Sequence, residues 1–302
     1  MKVTIFGATG DQGAAQVRAL VAAGHDPIAV SRAPAPIEIA GQAIEARAAD
    51  FADHPSLDAA IAGADAVFLN LPSTSFQAAP PLIAAANVIA KAAQARGVRS
   101  LIFNTSMPVP AEPLGFAGQD ARHEMRRLVF EAGVPAVSIQ PVVFLDNLLK
   151  GWAWPEIARN GRLVYPHHAM LKVSWICHDD LAALMIAALD RPELSGRSFA
   201  VGGADTVRLP ELAAILTRAW SRPLTWESQS IETFCDNMRR VFEKRATLDA
   251  ESMVGELGRI YRWYNESSTH PFRIDMAPVL RELPVALTPI AAWAARQQLP
   301  AS

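Results

Sequence analysis

The 302-residue chain predicts an α/β protein: a doubly wound parallel sheet with a second, smaller, mainly helical C-terminal lobe. Two observations carry this. Up to about residue 141, apolar runs of four to six residues alternate with helical stretches, and the runs are nearly continuous rather than alternating. Strands buried on both faces of a parallel sheet read that way. After about residue 142 the rhythm changes, and five of the seven Trp and all three Tyr lie beyond position 160.

The elements follow in order. Val3 to Phe6 is a strand, followed at once by "GATGDQG". Gln12 to Ala23 is a helix with Val17, Leu20 and Val21 on one side, stopped by Gly24. Pro27 to Ser31 and Ala43 to Ala49 read as the next strands, the latter weakly. Ser56 caps a helix to Ile61, and Gly63 stops it. Ala66 to Leu71 is a strand closed by Pro72; Pro81 to Arg96 is a helix stopped by Gly97. Ser100 to Asn104, Gln119 to Ala132 and Ala136 to Ile139 continue the alternation. Later, Asp180 to Leu189 reads as a helix and "RSFAVGG" as a strand that can return to the main sheet. The expected division is a dinucleotide-binding domain over 1–150 and a substrate-side lobe over 151–302, with interleaving allowed.

Composition narrows the function classes. Apolar residues are 51%, charged residues 19% and the net charge −2, with arginines scattered. Disorder and a nucleic-acid partner are both disfavoured. Two cysteines, Cys177 and Cys235, fit a reduced compartment; no secretory leader or clean 18-residue apolar stretch is read, so a cytoplasmic protein is expected, without a membrane span. The histidines of "YPHH" and "HDD" lack zinc-ligand spacing, so no metal is expected, and no G-x-S-x-G element marks a hydrolase.

The stretch Gly7-Ala8-Thr9-Gly10-Asp11-Gln12-Gly13 carries the chemistry. Between a strand and a helix, its glycines suit a tight turn, an approach to pyrophosphate and close helix–strand packing. The helix N-terminus then offers free N–H groups to phosphate. A purely structural turn is the plain alternative. The second strand ends Ser31-Arg32, without the acid that usually holds an NAD ribose. A guanidinium there suits a 2′-phosphate, so NADP(H) is favoured over NAD(H), unless Arg32 is a solvated loop residue. Asp50 is placed near the adenine, or as a turn residue. Asn70, Pro72 and Ser73 at one strand exit, and Thr105 and Ser106 at another, are placed in the same crevice.

Together "VTIFGATGDQG", "SRAP", "AADFADHPSLDAAIAGADAVFLNLP", "LIFNTS" and "GVPAVSIQPVVFLDNLL" resemble the NmrA-like family of atypical short-chain dehydrogenases/reductases, which are Rossmann proteins. "HDDLAALMIAAL", "FAVGG" and "VRLPELAAILTRAW" fit that family's C-terminal portion. The resemblance implies NAD(P) binding, and either a reductase or a protein that binds NADP(H) to sense or regulate. Short-chain dehydrogenases use Tyr with Lys four residues on. Here Tyr165, Tyr261 and Tyr264 are followed at that spacing by Ala169, Asn265 and Ser268. The lone Lys that active relatives often keep after the fifth strand is also missing, since "GQDARHEMRRLVFEAG" has none.

That segment offers His123 for proton donation and Arg122 for the nicotinamide ribose; Ser106 is a second catalytic candidate, bonding a substrate carbonyl. Hydride transfer needs no protein acid when water supplies the proton. The expectation is an NADPH-dependent reductase of a quinone or similar uncharged carbonyl or enone, monomeric or homodimeric. A regulator without turnover is the alternative, and a third is an epimerase- or dehydratase-like enzyme, which would want the missing Tyr. Phe144, Trp152 and Trp154 are an apolar pocket wall, or the Trp simply join the two lobes; the run Arg259 to Phe272 is either a cover over the site or ordinary small-domain core.

Overall fold

The computed structural model describes residues 1–72, 80–243 and 249–300; Ser73 lies outside them. The first part of the chain runs β1 (Lys2–Phe6), α1 (Asp11–Ala22), β2 (Asp26–Ser31), β3 (Ile37–Ile39), β4 (Gln42–Ala48), α2 (His54–Ala60), β5 (Ala66–Asn70), α3 (Pro80–Ala95), β6 (Ser100–Asn104), α4 (Ala117–Glu131) and β7 (Ala136–Pro141). Then come α5 (Trp154–Asn160), β8 (Arg162–Tyr165), α6 (His178–Ala187), β9 (Ser198–Val201), α7 (Leu209–Ala219) and β10 (Thr225–Ser228). Four helices finish the chain: α8 (Ile231–Glu243), α9 (Ala250–Glu266), α10 (Met276–Glu282) and α11 (Ile290–Ala295). The chain forms two compact units. One holds Met1–Pro141, His178–Ala200 and Pro278–Val285; the other holds Val142–Cys177, Val201–Ala277 and the chain from Ala286 on.

The first unit is built on an eight-stranded sheet of order β3-β4-β2-β1-β5-β6-β7-β9. β4, β2, β1, β5, β6 and β7 are paired in parallel. Their side chains divide by the period of two. Phe6, Val30, Val67, Leu69, Leu101 and Phe103 join one core with α2, α3 and α4. The alternate residues Val3, Ile5, Phe68 and Ile102 are equally buried, on the face that period assigns to the other side of the sheet. Both faces are covered, which is why the strands read as unbroken apolar runs. On α3 the buried face is largely alanine (Ala85, Ala86, Ala90, Ala92 and Ala93), so that helix lies close against its neighbours.

The chain winds outward from β1 through β2 and β4, then returns to β5 on β1's other side. That reversal is the switch point where open α/β sheets form a crevice beyond the strands' carboxyl ends. Within this sheet one strand, β3, was unexpected, as were β8 and β10 of the second unit. β3 pairs antiparallel with β4, Ile39 opposite Gln42, across an Ala40-Gly41 turn with φ of 52° and 79°. Such a turn normally announces itself with Asn-Gly or Asp-Gly, and Ala-Gly hides it. Ser56 is also not the helix cap: α2 starts at His54, and the Ser56 hydroxyl donates to Asp53 O (2.7 Å) and accepts from Asp50 N (3.1 Å).

The second unit has a two-stranded parallel sheet of β8 and β10 and a core of aromatic rings packed at tilted and edge-on angles. Tyr165 lies against Trp152, His167 and Trp175, at centroid separations of 5.5, 4.6 and 5.2 Å. Phe272 meets His167 and Tyr264, and Tyr261 meets Phe234. Burial holds the His167 imidazole down at about 3, pushes the Tyr165 hydroxyl up to about 12 and raises the Tyr261 hydroxyl well above its ordinary value, so the cluster is uncharged at neutral pH. Trp154 packs edge-on against Trp220 and donates to Pro300 O (2.9 Å). Trp154, Tyr264 and Phe272 are therefore core side chains of this unit, with Trp152, Tyr261 and Trp263 half-buried around them.

Candidate functional site

At the end of β1 the chain turns sharply at Gly7, whose φ of +74° lies where L side chains are strained. A Cβ there would sit 3.4 Å from Asn70 Cβ, so the turn lies against the end of β5. Gly10 N donates back to Gly7 O (3.0 Å), and α1 then starts at Asp11 with no side chain capping it. Gly13 is buried against the turn: a Cβ would meet the Gly7 carbonyl and come within 2.7 Å of Ala8 Cα. Gly10 differs. Its backbone is ordinary extended chain, and a Cβ would find only Gly7 O, at 3.3 Å. Thr9, Gly10 and Asp11 are exposed. An exposed glycine turn at an uncapped helix start fits a pyrophosphate.

Asn70 and Asn104, which end β5 and β6, stand opposite each other in the strand register. They centre a buried network of amides. Asn104 Nδ2 donates to Gln12 Oε1 (2.6 Å) and to Asn70 Oδ1 (2.8 Å). Asn70 Nδ2 donates to Phe6 O (2.9 Å) and Gln16 Oε1 (2.7 Å), and Gln16 Nε2 returns a bond to Asn70 Oδ1 (2.8 Å). Ser106 joins from the β6 exit: its N–H donates to Asn104 Oδ1 (2.9 Å) and its hydroxyl to Gln12 Oε1 (3.2 Å). Ser106 is held at φ +60°, rare for serine, by these bonds. Asn104 and Gln16 were not anticipated. The available signal was the repeated ending of two apolar strands, "FLN" and "IFN", since a lone amide closing a buried strand needs a partner.

The remaining candidates have these surroundings. Arg32 is exposed just past β2 and makes no hydrogen bond or ion pair among the described residues. Asp50 Oδ1 accepts from Ala52 N (2.9 Å), a turn-forming bond. The Thr105 hydroxyl turns inward, donating to Met107 O (2.7 Å). Pro72 is half-buried beyond β5. Arg122 is fully buried, with Nε donating to Thr105 O (2.7 Å) and a terminal nitrogen to Gly118 O (2.7 Å). His123 directs Nε2 at Ala111 O (2.9 Å). Cys177 and Cys235 are both buried and form no disulfide. Among the described residues there is no cluster of three His, Cys, Asp or Glu arranged to hold a metal, and no helix is long and apolar enough to cross a membrane.

With this glycine turn at the switch point of a doubly wound sheet, comparison with known proteins is decisive for the family. The NmrA-like family model matches residues 1–293. The chain belongs to the NmrA-like family. It is 29% identical, over 76% of its length and 78% of the relative's, to a (4-alkanoyl-5-oxo-2,5-dihydrofuran-3-yl)methyl phosphate reductase of Streptomyces griseus. Among solved structures, an NADPH-dependent quinone oxidoreductase from Escherichia coli, complexed with NADPH, superimposes with a TM-score of 0.72. Identity there is 20%, and the match covers 98% of this chain and 99% of the other. A nucleoside-diphosphate-sugar epimerase from Staphylococcus aureus matches with a TM-score of 0.76, at 20% identity over 98% of this chain and 100% of that one. These structural likenesses establish a fold that hosts different reactions.

Proposed function

We propose that the protein is an NADPH-dependent reductase of a quinone or a similar uncharged carbonyl or enone. The observation that carries this is the exposed glycine turn at an uncapped helix, followed by an unengaged Arg32 where an acid would select NAD. The Streptomyces relative, a reductase by name, and the Escherichia coli complex with NADPH support the same reading.

In this reading the N–H groups at the start of α1 hold the pyrophosphate, and Gly10 leaves room for it. Arg32 grips the 2′-phosphate and Asp50 lies toward the adenine. Thr9, Asp11 and Gln12 line the turn, while Asn70, Pro72 and Thr105 line the strand exits. Arg122, bonded to the Thr105 carbonyl, positions the Thr105-Ser106 turn. Reduced nicotinamide, when bound, supplies the hydride. Ser106 orients the acceptor oxygen through its hydroxyl. To do so the hydroxyl exchanges its long bond to Gln12 Oε1 (3.2 Å) for the acceptor, whereas His123 Nε2 would give up a shorter contact with the Ala111 carbonyl (2.9 Å). The proton comes from water. A regulator that binds NADP(H) without turnover is the second reading, favoured by the inward engagement of the strand-end polar groups.

The test is NADPH consumption with a panel of small quinones and enones. Steady turnover is expected, with Arg32→Ala weakening NADPH about tenfold, the worth of one charge-assisted bond, and leaving NADH unchanged. NADPH binding without turnover on any acceptor would favour the regulator. Equal loss of both cofactors in Arg32→Ala would remove Arg32 from the phosphate site.

A further inference from the structure

The second unit carries a solvent-open cavity of about 330 Å³ that the cofactor reading does not use. Two stretches far apart in sequence form it, His168 to Lys172 and Asn265 to Arg273. Its charged lining is wholly cationic, from Lys172 and Arg273, with the rings of His168 and His270 beside them. A wider opening of about 600 Å³ adjoins it and shares Lys172, His270 and Arg273; there Asp275 is the one carboxylate, and its Oδ1 accepts from Ala277 N (3.0 Å).

Three features separate this from an ordinary patch of surface charge. First, the cations are not neutralised. Arg208, Arg259 and Arg262 of the same unit are each clasped by a glutamate, whereas Arg273 and Lys172 form no salt bridge among the described residues. The acid that acts on Lys172 at a distance is Glu211, itself bonded by Arg208 through the backbone N–H and two guanidinium nitrogens. Second, the walls are stapled. Asn265 Oδ1 accepts from His168 N (2.8 Å) and its Nδ2 donates to Pro166 O (2.9 Å), joining the two stretches, while His168 Nδ1 accepts from Met170 N (3.3 Å). The cavity is thus formed before any ligand arrives. Third, the lining is amphipathic. Met170 is 63% exposed, among the most exposed large apolar side chains of the described chain, and Leu171 lies beside it.

We infer that this cavity is a binding site for a small phosphate monoester with an apolar tail, its phosphate between Lys172 and Arg273 and its tail on Met170. A guanidinium and an ammonium facing one anion favour a compact dianion, and Arg supplies a planar fork for its oxygens. The apolar rim discriminates against inorganic phosphate. The inference is independent of the reductase reading.

The probe is hexyl phosphate, titrated calorimetrically into the full chain in saturating NADPH, with inorganic phosphate and hexanol as comparisons. Hexyl phosphate should bind one per chain, inorganic phosphate about tenfold more weakly and hexanol undetectably. Arg273→Ala and Lys172→Ala should each weaken hexyl phosphate about tenfold without altering NADPH affinity. Absence of binding, unchanged affinity in both variants, or displacement by NADPH would overturn the site. Sedimentation with vesicles containing phosphatidic acid separates the two sources of such a phosphate. A site for free monoesters leaves the protein in the supernatant; recovery in the pellet, lost in Arg273→Ala, would overturn the small-molecule assignment in favour of a lipid headgroup.

Discussion

A methyl group added at Gly13 would press on the Gly7 carbonyl and lie 2.7 Å from Ala8 Cα. Both are backbone atoms of the turn, so neither can swing aside. At Gly10 the same methyl finds a single neighbour at 3.3 Å and a backbone conformation open to any residue. The two glycines of one motif therefore do different jobs, and alanine separates them. Gly13→Ala should lower the stability of the first unit by about 3 kcal/mol, as overpacking against fixed atoms does. Gly10→Ala should keep its wild-type urea midpoint and lose about tenfold in dinucleotide affinity. Equal destabilisation by both would contradict this division of roles. The close packing of Gly13 was legible in residue spacing, because the atoms it meets belong to Gly7 and Ala8, within six positions.

Elements, rather than single residues, bring the polar network together. Gln12 and Gln16 lie on α1, Asn70 ends β5, Asn104 ends β6, and no two of these elements are adjacent in the chain except through long crossovers. Asn104 is the joint. Replacing it by the near-isosteric leucine leaves Gln12 Oε1 without the Asn104 amide and the Ser106 N–H without its acceptor. Gln12 Oε1 keeps the Ser106 hydroxyl, whereas the half-buried Ser106 N–H is left without a partner, and a polar group so abandoned costs about 1–3 kcal/mol. Asn104→Leu should therefore shift the urea midpoint down by the equivalent of about 2 kcal/mol or more and loosen Ser106 from its left-handed conformation. An unchanged midpoint would show that the amides find water instead. Strand and helix periodicity was legible for most elements here. The β3–β4 hairpin was not, because its Ala40-Gly41 turn has no distinguishing chemistry.

Across the second unit as a whole, the fully buried His167 links stability to pH. Its imidazole Nε2 and the Trp175 indole N–H have no hydrogen-bond partner among the described residues. Burial alone depresses its folded value to about 3, against about 6.5 in an unfolded chain. The unfolded state therefore binds the proton first as pH falls. The full stability contribution is present above about 6.5 and is lost progressively between there and about 3. Going from neutral pH to about 5 should destabilise this unit by about 2 kcal/mol through His167 alone. The variant His167→Phe, which keeps a ring in the cluster, should lose that increment when urea unfolding is compared at the two pH values. Identical pH dependence in wild type and variant would show that His167 is reached by solvent.

By itself the sequence determined the parallel sheet, the glycine turn at its first strand and the change to an aromatic second unit. Each of these is written in local spacing: apolar runs, a period of helix, glycines at fixed offsets. Tertiary structure decided which polar groups face one another. Asn104 reaches Gln12 across 92 positions, and Asn265 staples a loop 97 positions before it. No local pattern encodes such pairs, because they arise only when crossovers and packing bring distant segments to one place. The aromatic run ending at Phe272 makes the same point. Its composition suited a cover over the site or a core equally; Tyr261 and Phe272 pack on His167, and Tyr264 and Phe272 are buried in the core.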